Sequence, residues 1–598
     1  MLEMIKKGDY SGLTYPRPQF VRQDNWSSLD GQWDFTYDNE NIGEKERWFL
    51  DKSFTHKINV PYVYQSKLSG IGDAGEHNII WYKRTFEMEQ TNKRTFIHFE
   101  AVDYLTKVWL NGQFIGEHEG GHVPFSFELT DQLDAGSNKI VIRVEDKNSC
   151  AQIIGKQSWK DHNFLCWYTR TTGIWQSVWL EQVESFFIEE AKMTPNVDKG
   201  TIELEVYTNG DYIDGYLQVQ VSYKGKSIRR SGMSIINDSA KLSIDVSMEE
   251  ADFRVEYWTP DTPNLYDITF TLEDKEEQTD CVQSYFGMRK IDHKGRKVLL
   301  NNKEFYQKLI LDQGYYGEGL LTPRSIDDLV NDLLKVKEMG FNGVRMHQKV
   351  ADRRYMYLCD LLGVAMWAEV PSFFELNEKS INNALHETKK IIEKHYNHPS
   401  TIIYTLMNES WGINEVYENE KQQQFVNFLY QMAKLLDQTR LIIGNDGWEH
   451  TLTDILTIHD YTADHEVIRD KYKDFEEAVN GSPSSTSNRQ NYSKGYKYNE
   501  EPIIISEYGG IAFHHDEDEE SWGYGERLTS EEAVLQRLED LTRAFMDLDY
   551  VSGICYTQLT DVEQEVNGLL DHNHDYKFDP QKIRAILNYK YNNGYIFE

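Results

Sequence analysis

Tyr404-Thr-Leu-Met-Asn-Glu-Ser-Trp-Gly412 reads as an apolar strand that runs out into Asn408 and Glu409, an amide and a carboxylic acid placed where a barrel strand hands over to its loop. Pro502-Ile-Ile-Ile-Ser-Glu-Tyr-Gly-Gly510 repeats the pattern about a hundred residues later, with β-favouring positions, then Glu507, then a turn. Carboxylates at the ends of two parallel strands can face one another across a barrel mouth. That pair is the least equipment needed to split a glycosidic bond.

Outward from these stretches, the chain after Lys290 alternates strand and helix. Candidate strands are 305–311, 343–347, 364–369, 401–407, 441–444, 455–458, 503–506 and 553–556, with helical patterns such as 325–337 and 381–396 between them. Eight strands with alternating helices predict a closed (β/α)8 TIM barrel, whose chemistry belongs at the strand C-terminal ends. Glu409 then ends the fourth strand and Glu507 the seventh. The polar run Gly481–Gln490, between strands six and seven, reads equally as a lid or as an insertion.

Upstream the rhythm is different. From Pro16 to Glu184 short alternating segments such as 31–37, 79–86, 95–100, 106–110, 139–144 and 177–181 predict a jelly-roll β-sandwich, with Asn111-Gly112 as a two-residue hairpin turn. Strands at 201–207, 216–222, 241–246 and 265–272 predict a smaller immunoglobulin-like β-sandwich. The expected multidomain layout is residues 1–184, 185–287 and a catalytic barrel over 288–598. Gly70-Ile-Gly-Asp-Ala-Gly75 matches a phosphate-loop pattern, but a strand rather than a helix follows it, so it is set aside.

A net charge of -35 argues against nucleic acid and anionic membranes as partners. The five cysteines are odd in number and widely spaced, which suits reduced thiols. No apolar run of signal-peptide or membrane-spanning length is found, so the expectation is a cytoplasmic protein. Aromatic residues are abundant and suit either sugar stacking or sandwich cores.

A resemblance to glycoside hydrolase family 2 rests on Val108-Trp-Leu-Asn-Gly112, Gly120-Gly121 and Pro124-Phe125, and on Thr172-Gly-Ile-Trp-Gln-Ser-Val-Trp-Leu-Glu181. Further markers are Thr262-Pro-Asn-Leu-Tyr266, Phe286-Gly287, Gly340-Phe-Asn-Gly-Val-Arg345, Met407-Asn-Glu-Ser410 and Ser506-Glu-Tyr-Gly509. The resemblance implies a retaining exo-β-glycosidase with a jelly roll, an immunoglobulin-like module and a barrel; the expected partner is a small-molecule glycoside or oligosaccharide substrate, no cofactor is expected, and a homo-oligomer is one possible assembly. It implies Glu409 as acid/base, Glu507 as nucleophile, Asn408 as partner of the sugar 2-hydroxyl and Tyr461 as hydrogen-bond donor to the nucleophile.

The roles also have a physical side. A retaining pair stands about 5 to 5.5 Å apart, and carboxylates that close do not both ionise easily. Something cationic must then hold Glu507 ionised, and Arg345 at the end of strand two is the candidate. His347 is a candidate substrate contact, Trp411, Trp448 and Tyr556 are candidates for a sugar platform, and Arg170 is a candidate for reaching the site from the first domain. His118-Glu-Gly-Gly-His122 has paired glycines where a metal-binding helix is needed, and the clusters His514–Glu520 and Asp571–Asp575 read as polar loops, so no metal is assigned. The sugar expected is β-galactose, because the Asn-x-Lys element of family β-glucuronidases is missing around Asn567. β-Glucuronidase, β-mannosidase and α-L-arabinosidase are the alternatives within the family, and a non-catalytic carbohydrate-binding protein the alternative outside it.

Overall fold

The computed structural model describes residue 5 and residues 8–89, 91–210, 215–248, 254–275, 277–481, 489–513 and 521–589. Most of the Gly481–Gln490 run and the whole of His514–Glu520 lie outside the described residues.

Among the described residues the first sandwich is a six-stranded antiparallel sheet facing a four-stranded one. Trp33, Phe35, Ile97, Phe99, Ile140 and Ile142 fill the space between them, each buried because alternate positions along a strand point to the same face. Leu105–Leu110 and Gln113–Glu119 are joined through Asn111 and Gly112, both at positive φ (50° and 82°), the geometry a two-residue turn needs to match strand twist. The second sandwich packs a three-stranded sheet on a four-stranded one around Leu204, Val219, Ile268 and Phe270.

The barrel strands are β1 (Gln307–Asp312), β2 (Gly343–Met346), β3 (Ala365–Glu369), β4 (Thr401–Thr405), β5 (Leu441–Ile443), β6 (Leu456–Asp460), β7 (Ile503–Gly509) and β8 (Val551–Thr557). They pair in parallel in the order β5-β4-β3-β2-β1-β8-β7-β6. The expected closed barrel is therefore closed except at one seam, between β5 and β6. No helix stands between these two strands. The three-residue β5 fills its free edge with Asp454, whose N–H donates to Ile442 O at 2.9 Å and whose carboxylate accepts from Ile442 N at 2.7 Å.

The first sandwich leans over the barrel mouth. Its segment from Cys150 to Thr172 leaves the sheet and docks on barrel loops: Ile154 N and Gly155 N donate to Ser372 O, and Phe374 N donates to Cys150 O. A shared apolar cluster of Val63, Ala101, Tyr168, Trp175, Tyr315, Leu320 and Val562 seals the contact. None of the described helices is long and apolar enough to cross a membrane.

Candidate active site

The barrel floor is organised around Arg345, which is wholly buried at the end of β2. Its Nε donates to Glu369 at the end of β3, its Nη1 to Glu507 Oε1 at 2.8 Å, and its Nη2 to Asn408 Oδ1 at 2.7 Å; Asp446 Oδ2 lies 2.9 Å from Nη2. One guanidinium thus holds three carboxylates in a fixed fork, an arrangement that suits Arg because its five donors are planar and rigid. Burial opposes ionisation of Glu369 and Asp446, but Arg345 outweighs it and both titrate below the ordinary carboxylate range.

Asn408 and Glu409 follow β4 directly. Glu409 and Ser410 both take positive φ (50° and 55°), a strained conformation for residues with a Cβ. The β5 loop holds them there: Glu409 N donates to Asp446 O at 2.9 Å, Ser410 N to Asn445 Oδ1 at 3.1 Å and Ser410 Oγ to Glu449 Oε2 at 2.7 Å. The twist turns the Glu409 side chain toward His459 at the end of β6, whose Nδ1 donates to Glu409 Oε1 at 2.7 Å and lies 3.4 Å from Glu507 Oε2. Glu409, His459 and Glu507 offer donor atoms that all lie within 4.8 Å of one another.

Burial works against a charge on His459, yet Glu507, Asp446 and Glu409 around it raise its pKa to about 10. Burial likewise works against ionised Glu507, but His459 and Arg345 outweigh it and hold Glu507 below the usual range. Tyr461 Oη donates to Glu507 Oε2 at 2.5 Å, with its ring stacked on Tyr524 at 3.4 Å. The same three residues are the one group among the described residues with metal-ligand spacing.

His347 Nδ1 meets Glu369 Oε2 at 3.0 Å, and burial lowers its pKa, so it stands on the floor beside Arg345. Trp411 stands over the same corner with its ring 6.2 Å from His347. Trp448 is half-buried at the rim, with Arg489 5.6 Å from its ring. Two expected residues are not brought to the site. Tyr556 lies in the apolar core: its ring packs on Tyr508 and against Gly509, and its hydroxyl accepts from Ile511 N. Arg170 is spent inside the first sandwich, where it binds Asp146, the Asp146 carbonyl, Asn78 and Thr172. An arginine matched by an adjacent buried aspartate has no reason to extend further.

The residue that does cross is Lys156, 7 % exposed, with its Nζ 5.0 Å from the Trp411 ring centre. Burial disfavours its charge, but Cys166, Glu565, Glu507 and Glu409 around it raise its pKa. Glu565, in the loop after β8, accepts from Tyr168 Oη at 2.5 Å and from Asn567 Nδ2 at 3.0 Å, and burial raises its pKa. Sequence reading missed Lys156, Glu369, Asp446, His459 and Glu565. Glu369 and His459 carried the same signal as Glu409, a polar residue where an apolar strand runs out; Lys156 carried none. In the Asp571–Asp575 cluster, His574 bonds Asp332 and the Tyr315 carbonyl, a structural pairing.

Three family models match successive parts of the chain: "Glycosyl hydrolases family 2, sugar binding domain" over residues 26–183, "Glycosyl hydrolases family 2" over 186–289, and "Glycosyl hydrolases family 2, TIM barrel domain" over 291–588. A β-galactosidase of Leuconostoc mesenteroides is 26 % identical over 72 % of this chain and 43 % of its own. A β-glucuronidase of Rattus norvegicus is 22 % identical over 84 % of this chain and 80 % of its own. The chain spans about half the length of the bacterial curated relatives it matches. Among solved structures, a Ruminococcus gnavus β-glucuronidase superposes with a TM-score of 0.78 at 18 % identity, covering 96 % of this chain and 98 % of that one.

Proposed function

Because the chain belongs to glycoside hydrolase family 2, we propose that it is a retaining exo-β-glycosidase that works by double displacement and acts on a β-galactoside. The observation that carries the mechanism is the spacing of Glu409 and Glu507, whose nearest oxygens come within 4.8 Å. A retaining pair stands about 5 to 5.5 Å apart and an inverting pair about 6.5 to 9.5 Å, so this spacing supports the retaining reading.

In this reading Glu507 attacks the anomeric carbon, held ionised by Arg345 and His459 and aimed by Tyr461. Glu409 protonates the leaving oxygen, then takes a proton from the water that releases the glycosyl-enzyme. Asn408 is fixed through its oxygen on Arg345, while its amide nitrogen is buried without a partner among the described residues, as a donor reserved for the sugar 2-hydroxyl would be.

Charge balance supports a neutral sugar. The described site sets five carboxyl groups, Glu369, Glu409, Asp446, Glu507 and Glu565, against the strong bases Arg345, His459 and Lys156. A uronate would enter a site with no excess of cations. Asn567 bonds Gln558 and Glu565, and a buried Leu569, not a lysine, stands two positions on. A β-glucuronide is the second reading, supported by Lys156, a buried ammonium that ion-pairs with none of the described carboxylates.

The test is a panel of p-nitrophenyl glycosides (galactoside, glucuronide, glucoside, mannoside and α-L-arabinoside), with and without chelator, and product anomers followed by NMR. Fastest release from the galactoside with a β-anomer formed first is expected. Preference for the glucuronide establishes the second reading, and an inverted first product or no hydrolysis overturns the proposal.

A further inference from the structure

Around Trp411, which neighbours His347 and Lys156 of the site, stands a group of rings that the hydrolytic chemistry does not use. Trp159, Phe164 and Trp167 come from the first sandwich, Phe374 and Trp411 from the barrel. Trp159 lies 4.4 Å from Phe374 and 5.1 Å from Trp167, Phe164 stacks on Trp167 at 4.9 Å, and Trp167 and Phe374 each lie within 5.7 Å of Trp411. Trp411 is nearly buried, but the other four rings are only half-buried, and Leu165 beside them is 64 % exposed. Contiguous exposed apolar surface of this kind marks a contact site more often than it marks packing.

The wall is rigid. Leu165 O accepts from Trp522 Nε1 at 2.8 Å and Gln564 Nε2 at 2.7 Å, Trp167 O accepts from Gln564 Nε2 at 3.0 Å, and Phe164 and Trp167 bond one another through their backbones. Trp167 Nε1 is buried and has no hydrogen-bond partner among the described residues. The wall's position defines its occupant. Trp411 follows Glu409 by two residues, and the group that departs from the sugar leaves with its oxygen beside Glu409.

We propose that Trp159, Phe164, Trp167, Phe374 and Trp411 form the subsite for the leaving group, and that this group presents a flat apolar face, either an aromatic ring or the face of a second sugar. The proposal rests on the reading of Glu409 as the acid. Stacking on such a face adds binding without polar matching.

Three substrates with one glycone separate the possibilities: 4-methylumbelliferyl β-galactoside, lactose and β-galactosyl fluoride, whose leaving group reaches none of these rings. The ratio of kcat/KM for the umbelliferyl substrate to that for the fluoride is expected to fall about tenfold in Trp167→Ala and in Trp159→Ala, and to recover in Trp167→Phe. A parallel fall in the lactose ratio identifies a sugar leaving group as well; a fall for the umbelliferyl substrate alone identifies an aromatic one. The inference is overturned if both ratios stay within twofold of wild type in the alanine variants, or if Trp167→Ala fails to fold while Trp159→Ala leaves them unmoved. A wild type that leaves the β-fluorides of both galactose and glucuronic acid intact overturns the glycosidase reading instead. If the glucuronide proves the better glycone, the same three leaving groups are used on it.

Discussion

The floor of the site and its wall are built on opposite principles. On the floor, Arg345, Glu369, Asn408, Asp446, His459 and Glu507 all come from barrel strand ends, are nearly or wholly buried and satisfy one another's charges. The wall comes largely from another domain, is aromatic, and is half open to solvent. The proposed reaction is the same for every β-glycoside and needs fixed charges, and the barrel floor is built to supply them at little reorganisation cost. Selection of a leaving group needs surface that differs from one enzyme to the next, and a loop reaching over from a sandwich can change without disturbing the floor.

If that division is right, floor variants fail in catalysis or folding, and wall variants fail in selectivity. The largest effect is expected from Glu507→Gln, which keeps the shape of the floor and removes the proposed nucleophile: kcat on aryl glycosides should fall by about 10⁴-fold or more while the far-UV circular dichroism is retained. Near-wild-type turnover in that variant would remove Glu507 from the mechanism. Next is Arg345→Met. It leaves Glu369, Asp446 and Glu507 buried without their shared cation, and losing one partner of such a set costs about 3 to 5 kcal/mol. Denaturant titration should show a loss of this size, with activity lost alongside it. A variant as stable as wild type would mean that the three carboxylates are neutral in the folded protein.

How much of this could be read in advance follows the same line. The eight barrel strands were legible because each is an apolar run that ends abruptly, and Glu409, Glu507, Asn408 and Arg345 were legible because they stand at those ends. His459 and Glu369 stand at such ends too. His459 is a second cation beside Glu507, and nothing in the sequence ties it to that residue in particular. The wall could not be read. Lys156 and Trp167 are some 250 residues from Glu409, and only docking of one domain on another brings them to it. Arg170 shows how such a guess fails: it lies in the correct segment, but Asp146 claims it within its own domain.

The pH dependence of stability offers a smaller and more specific test of the floor. His459 has its pKa raised in the folded protein, to about 10, so its stabilisation is complete below its ordinary value near about 6.5 and is lost as pH rises through about 10. Glu507 has its pKa lowered, so its contribution is complete above the ordinary glutamate value near about 4.3 and is lost as pH falls toward its folded value. Urea titrations of wild type and His459→Gln should therefore differ most between these two ordinary values, and the difference should close as pH approaches 10. A gap independent of pH from 6 to 10 would show that His459 is neutral in the folded state.

The smallest effect is expected at Gly155, where wall and floor meet. It takes φ of +59°, and a Cβ built there would stand 2.4 Å from the carbonyl oxygen of Gln348 and 3.3 Å from Pro371. Only glycine lets the Ile154 and Gly155 N–H groups reach Ser372 O and set Lys156 over Trp411. Alanine must push the segment away from the barrel, which moves the wall and leaves the barrel strand ends where they are. Gly155→Ala should then raise KM for aryl glycosides about threefold to tenfold, with kcat within about twofold of wild type, and should expose residues 158–167 to limited proteolysis. A fall in kcat with KM unchanged would mean that the two regions are one unit, and that the first sandwich helps to hold the catalytic carboxylates in place.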